Sequence, residues 1–207
     1  MIEHIQPMDI EQRSFEIITE LLGQRRLDPE NELVIKRVIH TTADFEYADS
    51  LAFSEHAVQK GLEALRAGCD IVTDTQMAKA GINKTALTRL GGQVYCFISD
   101  PDVAREAKDR GITRAAVSME RAAQLEKPCI FAIGNAPTAL LTLRTLLDEG
   151  RVSPALIIGV PVGFVNVVES KEQTLTARAP YIVARGRKGG SNVAAAICNA
   201  LLYQITR

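Results

Sequence analysis

Residues 129–160 read CIFAIGNAPTALLTLRTLLDEGRVSPALIIGV, and this stretch decides the fold. Two short runs, 129–134 and 155–160, are continuously apolar instead of alternating, which a strand needs only when both of its faces are covered. Between them, Pro137 opens and Gly150 closes a segment with helical spacing (137–149). Strand, helix and strand in that order form a right-handed crossover between parallel neighbours. Working outward, three further apolar runs appear at 69–73 (CDIVT), 93–99 (QVYCFIS) and 181–186 (YIVARG). Helical segments at 101–110, 113–126, 165–176 and 191–205 separate and follow them. The expected architecture is α/β: a three-layer, doubly wound, mainly parallel five-stranded sheet.

The first third reads as an N-terminal helical segment. Asp9, with Gln12 to return the bond, can cap a helix striped by Ile10, Phe15, Ile17, Ile18, Leu21 and Leu22. Asp28-Pro29 marks a second start, ahead of Leu33, Val34, Val38 and Ile39. Ser54 can cap a third helix that ends at Gly68. No repeat, low-complexity tract or linker interrupts residues 1–207, so a single domain is expected.

Composition narrows the function. Of 207 residues, 46% are hydrophobic and 24% charged, with a formal net charge of −1, which does not suit a nucleic-acid binder. No run is long enough to span a bilayer, and the N-terminus has acids where a signal peptide needs bases. Cys69, Cys96, Cys129 and Cys198 show no paired spacing and read as reduced thiols of a cytoplasmic protein. The net charge conceals a gradient: residues 1–68 sum to −6, 69–168 to +1 and 169–207 to +4. The basic end is expected to face an anionic ligand, and most of the acidic end solvent.

In an open α/β sheet, ligands bind beyond the carboxyl ends of the strands. Four loops fall there: one with Thr75, Gln76 and Lys79, one with Asn135, one spanning Gly159–Asn166 with Lys171 one turn on, and one with Arg187, Lys188 and Ser191. Glycines in these loops let backbone approach a ligand, and helix N-termini favour anions. Glycines also end strands and cap helices, but four such loops with bases on one edge favour a binding surface. Neither a P-loop nor a G-x-G-x-x-G follows the first strand, which weighs against a nucleotide or flavin binder. Among the histidines, His4 and His56 read as surface groups. His40 lies one turn after Arg37, and an imidazole exchanges protons near neutral pH, although a solvated histidine is the commoner occupant of such a position.

Glu11-Gln-Arg-Ser-Phe15, Arg37-Val-Ile-His40, Ala132-Ile-Gly-Asn-Ala-Pro-Thr-Ala139, Gly159-Val-Pro-Val-Gly-Phe-Val165 with Glu169-Ser-Lys171, and Arg185-Gly-Arg-Lys-Gly-Gly-Ser191 occur in one order along the chain. In this respect the sequence resembles the precorrin-8X methylmutases, called cobalt-precorrin-8 methylmutases in the oxygen-independent route to vitamin B12. The resemblance implies an isomerase that moves a methyl group from carbon 11 to carbon 12 of a tetrapyrrole polycarboxylate, without a cofactor and without a protein-bound metal. It further implies a flavodoxin-like fold and a homodimer with its sites near the interface. His40 matches the family's proton donor or acceptor, and Ser14 and Arg37 match its substrate-binding residues. Thr75, Gln76, Lys79, Arg114, Glu120, Asn135, Lys171, Arg187, Lys188 and Ser191 are further candidate contacts. The competing reading is a tetrapyrrole carrier without chemistry.

Overall fold

The computed structural model describes Gln6 and residues 9–207; His4 lies outside the described residues. Three helices come first: α1 (Ile10–Leu22), α2 (Glu32–Thr42) and the short α3 (Tyr47–Ser50). Strand β1 (Leu51–Phe53) and helix α4 (Ala57–Arg66) follow. Next come β2 (Asp70–Thr73), α5 (Gln76–Gly81), α6 (Lys84–Arg89), β3 (Val94–Tyr95), α7 (Pro101–Arg110) and α8 (Arg114–Ala122). The chain closes with β4 (Cys129–Ile133), α9 (Pro137–Asp148), β5 (Leu156–Gly159), α10 (Val167–Leu175), β6 (Tyr181–Ala184) and α11 (Ser191–Thr206).

The sheet has six strands in the order β1-β6-β5-β4-β2-β3, not five. All pairs are parallel except β1 with β6, where Leu51 lies opposite Ala184 and Phe53 opposite Ile182. The extra strand escapes sequence reading because three residues directly after a helical turn leave no room for a periodicity. The run 93–99, by contrast, contributes only Val94 and Tyr95 to the ladder.

Burial on both faces is visible residue by residue. Ile71, Ile130, Ala132, Leu156, Ile158, Ile182 and Ala184 belong to a core shared with α1, α2, α4 and α11. Their neighbours Val72, Phe131, Ile133 and Ile157 join Ala115, Met119, Leu140, Leu143 and Leu146 of α8 and α9 on the other face. Alternate side chains of one strand thus enter two separate cores, which is why the middles of these strands are continuously apolar.

Several local expectations change. Asp9 makes no side-chain cap bond, and Gln12 instead donates to Glu16 at 3.3 Å. The Asp28 carboxylate caps its own turn through the Glu30 N–H (2.9 Å), so α2 starts only at Glu32. Ser54 does not cap α4; its Oγ accepts the Tyr181 N–H (2.9 Å), tying β1 to β6. Helices α5 and α6 were not expected, yet Thr75 and Asn83 cap them by accepting the N–H of Ala78 and Ala86 (3.1 and 3.0 Å). Among the described residues, no helix is long and apolar enough to cross a membrane. The four cysteines are buried and unpaired, and burial pushes the thiols of Cys69 and Cys198 up to about 12.

Candidate active site

Because β2, β4, β5 and β6 run parallel, the loops that follow them meet at one edge of the sheet. Asp74 organises that edge. Its carboxylate is buried at the end of β2 and accepts three successive backbone N–H groups beyond β4, from Gly134 (2.9 Å), Asn135 (2.8 Å) and Ala136 (2.6 Å). Burial pushes this acid above its usual range while the three donors pull it back. The sequence held a signal for Asp74, an acid directly after a strand buried along its whole length, but its partners come from sixty residues away.

The neighbouring loops are stitched to this centre. Thr75 Oγ1 and Ser191 Oγ lie 2.7 Å apart, joining the end of β2 to the start of α11. A Cβ on Gly134 would sit 2.7 Å from Ser191 Cα, so only glycine admits α11 this close. Gly189 is similar: a Cβ there would fall 2.1 Å from the Val160 carbonyl, which accepts the Gly190 N–H at 2.9 Å. Gly163 N–H donates to the Arg187 carbonyl at 3.2 Å.

A groove of about 410 Å³ opens on this edge, lined by Asp74, Thr75, Gln76, Arg114, Asn135 and Thr138 among others. Five of the sequence candidates are therefore neighbours: Thr75, Gln76, Arg114 and Asn135 on the groove wall, and Ser191 behind Thr75. Lys79 lies one turn further along α5, half-buried. Glu120 is not brought to the groove. It sits six residues along α8 from Arg114 and accepts from Arg110 of α7 at 2.9 Å, an engagement that holds its carboxyl below the usual range.

A second cluster forms between α1, α2 and the end of α11. Arg37 donates to Glu11 at 2.7 Å, and its guanidinium lies 4.8 Å from the Phe15 ring centroid and 5.2 Å from that of Tyr203. Its buried Nε has no hydrogen-bond partner among the described residues. Arg207 shares the same Glu11 oxygen at 2.7 Å. The Arg37 bond first, helped by Arg207, holds the Glu11 carboxyl down to about 2. One turn past Arg37, His40 is exposed and meets Phe15 edge-on, with ring centroids 5.6 Å apart. Ser14 lies beside Phe15 on α1, half-buried, its hydroxyl donating to the Ile10 carbonyl at 2.8 Å.

The basic loop after β6 bridges towards the His40 end of α2. Lys188 Nζ reaches Asp44 (2.6 Å) and Glu46 (2.8 Å), just beyond that helix. These contacts hold Asp44 below its usual range and Lys188 above its own. Arg185 and Arg187 on the same loop are exposed. Lys171 behaves differently from the expectation of a ligand contact: it is wholly buried, donating to the carbonyls of Gly186 (2.9 Å) and Lys188 (2.8 Å). Burial lowers its pKa to about 8. Phe164 lies in a loop and motif that the sequence singled out, though not as a contact of its own, and the loop after β5 leaves it 84% exposed between Val162 and Val165. Among the described residues, no cluster of three or more metal-ligating side chains is present.

An α/β sheet with basic, glycine-rich loops on one edge and an exposed histidine beside a braced arginine is the plan of a small-molecule enzyme for an anionic ligand. The comparisons with known proteins make this specific. Residues 9–204 match the model of the precorrin-8X methylmutase family. The chain is 50% identical to the cobalt-precorrin-8 methylmutase of Salmonella typhimurium over 97% of its own length and 96% of that protein's. It is 47% identical to the cobalt-precorrin-8 methylmutase of Priestia megaterium, covering 95% of this chain and 88% of the relative. The crystal structure of precorrin-8x methyl mutase from Thermus thermophilus superposes with a TM-score of 0.86 at 38% identity, over 94% and 96% of the two chains. The chain belongs to the precorrin-8X methylmutase family. A methylmutase is an isomerase: the group it moves leaves and arrives within one molecule.

Proposed function

We propose that this methylmutase shifts a methyl group from ring carbon 11 to ring carbon 12 of a tetrapyrrole polycarboxylate, the step that yields hydrogenobyrinate or its cobalt counterpart. The observation that carries the reading is the pairing of exposed His40 with Phe15 and with Arg37 one turn before it. An imidazole held by its edge against an aromatic ring keeps one orientation, and it stands where a macrocycle can reach it. His40 donates a hydrogen bond, or transiently a proton, to the conjugated ring and so draws electron density from the migrating centre. The bond from the methyl carbon to C11 breaks as the bond to C12 forms, so the electrons balance without an outside acceptor. Acid assistance of this kind contributes about 10²–10⁴-fold.

Binding falls to the remaining candidates. The substrate is a flat ring with acetate and propionate arms, and arginine suits such carboxylates because its fork can hold them bidentately. Arg37, Arg114, Arg187 and Ser14 serve as arm contacts, Thr75, Gln76, Lys79, Asn135 and Ser191 form the polar wall, and Phe164 offers an apolar surface to the ring plane. Lys188 contributes once substrate competes with Asp44 and Glu46. Lys171 acts from beneath its loop, and Glu120 braces α7 against α8.

Three finer points belong to the same reading. The five parallel strands, numbered along the chain without the antiparallel edge, stand in the order 2-1-3-4-5, which supports a flavodoxin-like fold. A homodimer is supported by the shallow groove, which encloses only part of such a ring and leaves a second wall to a partner copy. A cytoplasmic setting is supported by four unpaired thiols.

Single-turnover mixing of purified protein with metal-free and with cobalt-loaded substrate tests the assignment. Conversion of the substrate spectrum to that of the product is expected with at least one of them. A stable coloured complex that never converts would replace the enzyme with a carrier.

A further inference from the structure

Lys171 has an arrangement that packing alone does not explain. It lies on α10, wholly buried, yet no carboxylate forms an ion pair with it among the described residues. Taking an ammonium out of water costs several kcal/mol, and an apolar side chain of similar volume serves a core better. What the ammonium gains is two carbonyl oxygens, Gly186 O at 2.9 Å and Lys188 O at 2.8 Å, both in the connection from β6 to α11. That connection is otherwise short of regular hydrogen bonding. Gly186 and Gly190 take left-handed or extended positive φ values of 76° and 143°, and the Gly190 N–H and Arg187 carbonyl are spent on the β5 loop. Two carbonyls turned inward onto Nζ leave Arg185 and Arg187 exposed on the outside, next to the loop that carries Phe164.

We propose that Lys171 is a positioning residue. Its buried ammonium clamps Gly186 and Lys188 from beneath, so that the loops after β5 and β6 form one rigid unit and the exposed arginines meet the ligand's carboxylates, while Lys171 itself touches no ligand. This rests on the reading that those carboxylates are the substrate's. A loop held in its binding shape spares the ordering entropy that a mobile loop would lose on capture. The effect therefore falls on substrate binding and not on the chemical step.

The setting of Nζ also makes the clamp sensitive to pH. Burial lowers the Lys171 pKa to about 8, so the protonated form is lost as pH rises through that value. The elements packed against α10 carry Arg144 and Asp148 on α9 and Tyr181 on β6; its own helix carries Glu169 and Glu172, and the loop it holds carries Arg185, Arg187 and Lys188. Arg144 is committed to Asp148, the Gln173 carbonyl and Thr176, and Lys188 to Asp44 and Glu46.

Lys171→Met tests the clamp, since methionine keeps the volume and removes the donors and the charge. Thermal unfolding is expected to show the variant folded but somewhat less stable than the native chain, because two carbonyls lose their donor while an ammonium no longer has to be buried. KM is expected to rise about tenfold with kcat little changed. Trypsin should cut after Arg185, Arg187 or Lys188 about tenfold faster than in the native chain, a readout that needs no substrate. Native KM should climb above about pH 8, and that rise should be absent from the variant. Unchanged KM and unchanged loop cleavage in a folded Lys171→Met would overturn the clamp, as would a loss confined to kcat. Should the variant fail to fold, a native KM that stays flat across pH 8 overturns it alone. Failure of the native chain to convert substrate would instead refute the proposed reaction, and the trypsin comparison would still decide on Lys171.

Discussion

Glu11 is where the electrostatics of single side chains become measurable. Two arginines converge on one of its oxygens, and Arg37 is further held between Phe15 and Tyr203. A carboxyl whose folded pKa is depressed contributes stability above its ordinary range and loses it as pH falls through the lowered value. Glu11→Gln should therefore lower the unfolding free energy at neutral pH by about 1 kcal/mol, a modest figure because the side chain is partly exposed and screened. In urea denaturation that gap should close as pH falls from 4.5 towards about 2. A gap that persisted at the acid end would mean that Glu11 acts by packing. The motif around Glu11, Arg37 and His40 was legible in the sequence, but the convergence was not. Tyr203 and Arg207 sit at the far end of the chain, and only the docking of α11 against α2 brings them in.

The elements show the same division. The strand–helix–strand grammar located β2, β4, β5, β6 and the helices α7, α9 and α11 closely, because burial on both faces leaves an unbroken apolar run. It failed for β1, too short to show a period, and it overextended β3, where an apolar run lies beyond the ladder. Helices α5 and α6 had legible caps in Thr75 and Asn83, but six residues each give too little periodicity to confirm them. Asp74 is the clearest functional feature at this scale, since one carboxylate fixes the loop between β4 and α9. Asp74→Asn turns an amide N–H₂ towards backbone donors and should lower the unfolding free energy by about 1–3 kcal/mol. KM should rise with it, because Asn135 and Gln76 share the groove wall. An unchanged urea midpoint would show that the loop needs no carboxylate.

Over the whole molecule, the charge gradient acquires a partial explanation. Part of the basic end collects at the carboxyl edge of the sheet, where Arg185 and Arg187 stand outward, while exposed Arg178 precedes β6 at the opposite edge. Lys188 is neutralised by Asp44 and Glu46, Lys171 is buried, and Arg207 pairs with Glu11 at the other cluster. The acidic third is thus not simply a solvated face: three of its carboxylates hold basic side chains of the C-terminal segment in place. Composition could show the imbalance but not these pairings, which depend on α2 lying against α11. Exposed arginines that meet a polycarboxylate make capture salt-dependent. KM should rise several-fold between about 0.05 and 0.5 M salt while kcat holds, as initial rates will show. A KM indifferent to salt would remove the loop cations from substrate binding.

The proposed chemistry turns on His40 assisting the methyl shift in a site built around α2 and the carboxyl edge of the sheet. Single-turnover absorbance of His40→Ala, shown by circular dichroism to be folded and by titration to bind substrate, tests it most directly. Substrate should bind as before and convert about 10²–10⁴-fold more slowly. Conversion at the native rate by the folded variant would contradict it.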